Sequence, residues 1–320
     1  MTFKFIEPLA SLSGFEPVFS RTWGSIVQRG KKGNDFSEQE IQTVYRLALE
    51  LEVHHIHVFE RDSMKPGERG FEPGPSSLTN DIAEKIRSQV SRDENEKTCD
   101  ELVSDAHKPE VNQMARLGDR VLDVILVEPD YWWVGYHVVE AASQRWSGGV
   151  PSLASPADVI SRAYYKVAEA LAWSMLPIKS GHVCVEIGSA PGGSCQYLLE
   201  QGFQLIAIDP ANLVPRIAHH PALQHIRRRA HEVRRSWLKP AQWLFCDANV
   251  SPREVLTAIE GWHKDGLMFQ GMLITLKIAD AEWFEQLTEH RERVIGWGYS
   301  NVKIRQLAYN RHEVCLLATP

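Results

Sequence analysis

The run from Val183 to Asp209 limits most sharply what this chain can fold into. Val183-Cys-Val-Glu-Ile187 is nearly continuous apolar sequence, Gly188-Ser-Ala-Pro-Gly-Gly193 follows it, and Phe203 to Ile208 is largely apolar again before Asp209. A short apolar run reads as a strand of a parallel sheet buried on both faces. The glycines mark a tight turn, and Tyr197-Leu-Leu199 the buried side of a short helix. Together they predict a β-turn-α-β unit. Asp209 comes 21 residues after Gly188, at the carboxyl end of the second strand and beside the turn. A carboxylate there is placed to hold a ribose diol.

The spacing in the turn narrows the ligand. A dinucleotide fingerprint is Gly-x-Gly-x-x-Gly with a pyrophosphate on the helix N-terminus, whereas this turn is Gly-x-x-x-Gly-Gly with Pro191 inside it. That speaks against NAD and suits S-adenosylmethionine. Its amino-acid end needs close backbone approach and a helix N-terminus for its carboxylate, but no phosphate cradle. The candidate cofactor-binding residues are Glu186, Gly188, Ser189, Ala190, Pro191, Gly192, Gly193, Asp209 and Asp247. A plain α/β crossover without a ligand is the alternative.

The remainder of the chain divides into two halves. With 320 residues, 43% of them apolar, it is long enough for two cores. In the first half, Val18 to Gln28 alternates like a strand, Ser37-Glu-Gln-Glu40 opens a capped helix running to about Leu51, and Val53 to Phe59 reads as a strand. Met64 to Ser77 reads as loop, and Ser91 to Lys108 as a polar helix or insertion. Arg120 to Glu128 and Trp132 to Val139 form a strand pair across Pro129-Asp130. These elements predict a smaller α+β domain over 1–146, its ordered part ending near Ala142, and a linker over 147–157. His54, His55 and His57 read as ordinary strand histidines without carboxylate partners, not as metal ligands. Trp132 and Trp133 should face opposite sides of their strand, at least one of them in the core.

Charge and cysteine usage set further bounds. A net charge of −6 excludes a uniformly basic coat but leaves room for a local basic groove. Arg216, Arg227, Arg228, Arg229, Arg234, Arg235 and Lys239 form such a concentration, opposed only by Glu232. Five cysteines, Cys99, Cys184, Cys195, Cys246 and Cys315, show no Cys-x-x-Cys spacing and read as thiols of a reducing compartment. No segment approaches the about 18 apolar residues of a membrane helix. The expectation is a cytoplasmic protein with neither membrane nor metal. Its oligomeric state is left open.

The second half, 158–320, carries the chemistry. Asp158 to Leu176 reads as an amphipathic helix. Trp243-Leu-Phe-Cys246 is a buried strand ending in Asp247, and Met272 to Leu276 another ending in Lys277. Val302 to Leu307 and Val314 to Ala318 form an antiparallel hairpin around Tyr309-Asn-Arg311, with Glu313 opening its second strand. Charged residues thus fall at strand ends, where open α/β sheets build their sites. A lysine directly after five apolar residues needs a carboxylate partner.

These residues resemble the FtsJ-type (RrmJ-like) ribose 2′-O-methyltransferases, and among them the RlmM-like branch that acts on 23S ribosomal RNA. The family's Lys-Asp-Lys-Glu pattern is matched by Lys166 in Ser161-Arg-Ala-Tyr-Tyr-Lys166, by Asp247 after Cys246, by Lys277 after Leu276, and by Glu313 in Arg311-His-Glu-Val314. The turn from Glu186 to Gly193 is similar to the family's cofactor motif. The resemblance covers about Asp158 to Thr319. It implies a Rossmann-like class I domain of mostly parallel strands, S-adenosylmethionine as cofactor, RNA as partner, and Lys166, Asp247, Lys277 and Glu313 as catalytic residues, Lys277 assisting deprotonation of the 2′-hydroxyl. It also implies an RNA-binding, THUMP-like character for the first domain. The sequence departs from the family after the third strand, where relatives carry an acidic residue for adenine and this chain has Arg227-Arg-Arg-Ala-His-Glu232. Transfer RNA as substrate, or an RNA-binding relative without activity, are the alternatives. A base-directed methyltransferase resembles Asp/Asn-Pro-Pro-Tyr where this chain has Asp247-Ala-Asn-Val250.

Overall fold

The computed structural model describes residues 22–30, 33, 36–64, 71, 73–96, 108–154, 156–278 and 282–320. Residues 18–21 of the first expected strand, most of the expected loop at 65–72, residues 97–107 and Cys99 lie outside these. The chain forms two compact units that meet in sequence between Ser152 and Leu153.

The first unit contains β1 (Ser25–Arg29), α1 (Glu38–Glu50), β2 (His55–Glu60), α2 (Ser77–Glu96), β3 (Glu110–Val111), β4 (Arg120–Glu128) and β5 (Tyr131–Val138), with sheet order β1-β5-β4-β2-β3. The capping box forms as expected, the Ser37 backbone N–H and hydroxyl both donating to the Glu40 carboxylate. Period-two alternation puts Ile56, Val58, Leu122, Val124, Leu126, Trp132 and Val134 on one sheet face, where they pack against Ile41, Val44, Ala48, Ile82, Ala83 and Ile86 of the two helices. Trp132 lies in this core, edge-on to Phe36, and Trp133 on the opposite face beneath the Arg29 guanidinium.

That opposite face corrects the expectation for the histidines. His55 and His57 are buried and do have carboxylate partners, supplied from far along the chain. His55 Nε2 lies 3.1 Å from Asp119, His137 Nδ1 2.7 Å from Asp123, and His57 Nδ1 4.0 Å from the other Asp123 oxygen. Burial lowers His57 to about 4, against the pull of Asp123. For His137 burial also acts downward, but Asp123 outweighs it and raises the imidazole. Among the described residues no cluster of three or more His, Cys, Asp or Glu side chains is arranged to hold a metal. The stretch after β5 stays with this unit, Arg145 Nε donating to the Ala115 carbonyl and Ser147 Oγ to that of Val58.

The second unit contains α3 (Ala163–Ser174), β6 (Val183–Ile187), α4 (Gly193–Glu200), β7 (Gln204–Ile208), α5 (Pro215–Ala218), β8 (Leu223–Ile226), β9 (Trp243–Cys246), α6 (Pro252–Lys264), β10 (Gly271–Lys277), α7 (Glu282–Ile295), β11 (Asn301–Arg305) and β12 (Glu313–Thr319). Its seven strands run β11-β12-β10-β9-β6-β7-β8, and β12 is antiparallel to both of its neighbours while β10, β9, β6, β7 and β8 are mutually parallel. The carboxyl ends of β6, β7, β9 and β10 therefore share one edge. Helix α3 is shorter than the expected 158–176. Before it, the Ile160 N–H is taken by the Gln196 side chain, and after it Met175 turns left-handed at φ 52°. Among the described residues no helix is long and apolar enough to cross a membrane.

Two measurements test the buried histidine face. Asp123→Ala leaves His137 without its carboxylate and should cost about 3–5 kcal/mol by calorimetry. The first unit should also lose stability as pH falls from about 6.5 toward 4, because the unfolded His57 takes a proton in that window and the folded one does not.

Candidate active site

The glycine turn follows β6 at the shared carboxyl edge. Gly188 has φ 82°, and a Cβ there would come within 2.4 Å of Ala248 Cα. A side chain is therefore excluded on both counts, and the turn lies hard against the loop leaving β9. Asp209 braces it: its two carboxylate oxygens accept the N–H groups of Ala190 and Ala211 at 3.1 and 2.8 Å. Each oxygen keeps a further lone pair for a ligand hydroxyl.

Glu186 lies wholly buried beneath the turn. Ser194 Oγ donates to it at 2.6 Å, and the Cys195 thiol faces its other oxygen. Burial is the largest influence and pushes its carboxyl up to about 8, so it is neutral near pH 7 without a ligand. Helix α4 has Gly192 at its N-cap and so no side-chain cap, and the Ser189 hydroxyl is buried without a hydrogen-bond partner. An uncapped helix start and an unsatisfied hydroxyl, in a turn braced by a carboxylate, fit the amino-acid end of S-adenosylmethionine.

Beside the turn, the four charged residues meet. Asp247 ends β9, and its N–H donates to the Ile187 carbonyl at 3.0 Å. Lys277 ends β10 and stands directly opposite Glu313 in the antiparallel register with β12. Lys166 enters from the second turn of α3. Its Nζ lies 3.1 and 3.2 Å from the two Asp247 oxygens and 2.5 Å from Glu313 Oε2. Lys277 Nζ contacts Glu313 Oε1 and lies 4.0 Å from Asp247 Oδ1. Two cations and two anions thus alternate. Lys277 is the most open of the four at 26% side-chain exposure, against 13% for Lys166, 16% for Asp247 and 10% for Glu313. Burial raises Asp247 above the usual carboxylate range despite both lysines. Burial also acts upward on Glu313, but Lys166 and Lys277 hold it below that range.

Glu169, one turn along α3 from Lys166, has no counterpart in the sequence reading. It is 2% exposed, and its two oxygens accept the N–H groups of Ala308 and Tyr309, each at 2.8 Å. Arg162 donates to the Tyr309 carbonyl, and Tyr165 stacks on Tyr309 with centroids 5.2 Å apart. Tyr164 reaches Glu200 at 2.7 Å. Helix α3 is thereby tied to the β11–β12 loop and to α4. A lone acidic residue on an amphipathic helix carries no sequence signal of such a role.

The strand order, with one antiparallel strand inserted beside β10, and the glycine turn after β6 are those of a Rossmann-like class I methyltransferase fold. Residues 159–276, which lie within the second unit, match the family model described as FtsJ-like methyltransferase. The ribosomal RNA large subunit methyltransferase M of Methylococcus capsulatus is 29% identical over 191 residues, covering 57% of this chain and 53% of that protein. The protein of the same name from Azotobacter vinelandii is 27% identical over 234 residues, covering 68% of this chain and 62% of that protein. The chain spans about half the length of the curated relatives it matches. A fibrillarin pre-rRNA processing protein of Methanococcus jannaschii has a TM-score of 0.38 at 13% identity, covering 61% of this chain and 81% of that one. The fold assignment rests on strand order instead.

Glu186→Gln should remove a pH dependence. The unfolded carboxyl ionises near 4.5 and the folded one near 8, so stability falls as pH rises through that window and levels off above it. The variant should melt higher than the parent at pH 8–9 in a thermal scan. Glu169→Ala leaves two buried N–H groups without acceptors and should cost about 1–3 kcal/mol in denaturant titration.

Proposed function

We propose that the protein transfers a methyl group to a ribose 2′-hydroxyl of RNA, with 23S-type large-subunit ribosomal RNA as substrate. The observation that carries this reading is the alternating cluster of Lys166, Asp247, Lys277 and Glu313, gathered from four elements beside the glycine turn. When bound, S-adenosylmethionine supplies an already activated methyl group. Asp209, the 188–193 backbone and the start of α4 would hold it. The chain's own task is to align a weak nucleophile and help it lose a proton.

Lys277 is the group that meets the hydroxyl. It assists deprotonation, and Asp247, made more basic by burial, lies 4.0 Å beyond it as a resting place for the proton. Glu313, held ionised by its lysines, keeps Lys277 in place. Lys166 keeps the two carboxylates together. Ribose is favoured over a base nitrogen because β9 runs into Asp247-Ala-Asn-Val250 and not an Asn-Pro-Pro-Tyr turn. Ribosomal RNA is supported by the names of the relatives. The first unit serves in the same reading as a THUMP-like RNA-binding domain. The Azotobacter match supports its descent with the rest, since 68% of the chain is more than the second unit alone holds.

Lys277→Ala and Asp247→Asn should each lower methyl transfer by about 10²-fold or more, with a melting profile close to the parent's. Transfer to unmodified ribosomal RNA is read as 2′-O-methylnucleoside by mass spectrometry after digestion. Near-parental transfer by either variant, or methyl found on a base, would refute the proposal.

A further inference from the structure

The concentration of arginine after β8 takes no part in the cluster described above. Arg227 follows β8 directly, beside the end of β7, and the Ile226 carbonyl accepts the Asp209 N–H at 3.3 Å. From there the chain passes along α6, where Trp262 Nε1 donates to the Val233 carbonyl at 2.9 Å. It ends near the far end of α6, where Val233, Arg234, Arg235, Ser236, Lys239 and Asp265 line a shallow depression. Helix α6 has 13 residues and is therefore about 20 Å long. The basic side chains form a band of that order of length, leading away from the cofactor turn.

Two features separate this band from an ordinary solvated face. Among the described residues Arg227, Arg228, Arg234 and Lys239 have no carboxylate partner, although the chain as a whole carries net charge −6. Arg216, by contrast, is neutralised by Asp158. Trp237, between Arg235 and Lys239, is 41% exposed, the one aromatic ring among the exposed large apolar side chains of the described residues. Unpaired cations tracking a path, interleaved with an exposed aromatic ring, match the chemistry of a single nucleic acid strand: phosphates on the cations and a base on the ring.

We infer that the band from Arg227 to Lys239 is the track for the phosphate backbone of single-stranded RNA, with a base stacked on Trp237. The inference rests on RNA being the substrate. It adds the direction from which the strand reaches the site, along α6 and past the end of β8. Asp265, the one acid lining the depression, marks where the track ends.

Binding of a fluorescein-labelled oligouridylate to the full chain, followed by anisotropy across a salt series, tests this. In the combined Arg228→Gln, Arg234→Gln, Lys239→Gln variant the slope of log affinity against log salt should shrink by about 2, at about 0.7 for each lost phosphate contact. Trp237→Ala should weaken binding several-fold at every salt concentration and leave the slope unchanged. All substituted side chains are at the surface, and circular dichroism melts check that the fold is kept. A slope change smaller than one contact overturns the track, as does a parent that does not bind the oligonucleotide. So does a triple variant that loses only the parent's binding to phosphatidylserine vesicles. Methyl transfer by the parent to ribosomal RNA is scored separately. Its absence sinks the proposed reaction, whereas transfer with an unchanged slope sinks only the track.

Discussion

Two lysines and two carboxylates in mutual contact are the interaction on which the second unit depends. A single buried charge would cost several kcal/mol in lost hydration, and one mismatched pair would leave a residue uncompensated. Alternation solves both problems, since each charge in the cluster has an opposite neighbour. The cancellation is uneven in a useful way. Asp247 is left more basic than an ordinary carboxylate and Glu313 less so, and the lysine with most exposure makes its close contact with the less basic acid alone, whereas Lys166 holds both.

Such a cluster demands that four elements keep fixed relative positions. Parallel pairing of β10, β9 and β6 brings Asp247 and Lys277 to one edge beside the glycine turn. Helix α3 is not part of the sheet and has to be held by side chains. Glu169, Arg162 and Tyr165 fasten it to the hairpin loop, and Tyr164 fastens it to α4. Gly188 closes the remaining gap, because the turn can approach Ala248 only where no Cβ intervenes.

Local pattern made the centre of this arrangement legible from sequence. The apolar runs, the turn glycines and the charged residues ending Trp243–Cys246 and Met272–Leu276 gave the strand positions within a residue or two. Features built from distant parts of the chain were not legible. The partners of Glu169 are 139 and 140 positions away, and Asp123 is a carboxylate partner of His57 only because β4 pairs with β2. The start of α3 at Ala163 was not legible either, since the Ile160 N–H ahead of it is held by the side chain of Gln196, 36 positions away. Asp209 was expected to serve a ligand alone, yet it also braces the turn, a role that only the folded backbone displays.

The direct opposition of Lys277 and Glu313 across β10 and β12 has an evolutionary consequence. Side chains on paired strands alternate faces, so a shift of one residue in either strand would carry one partner to the far side of the sheet. Substitutions along these strands can accumulate while the apolar pattern lasts. Insertions and deletions would keep this opposition only outside the paired strands, and between Arg305 and Glu313 they would also have to spare Ala308 and Tyr309, whose N–H groups hold Glu169. The pairing of β10 with β12 acts as a reading frame for the candidate site, tolerant of spelling and intolerant of slippage.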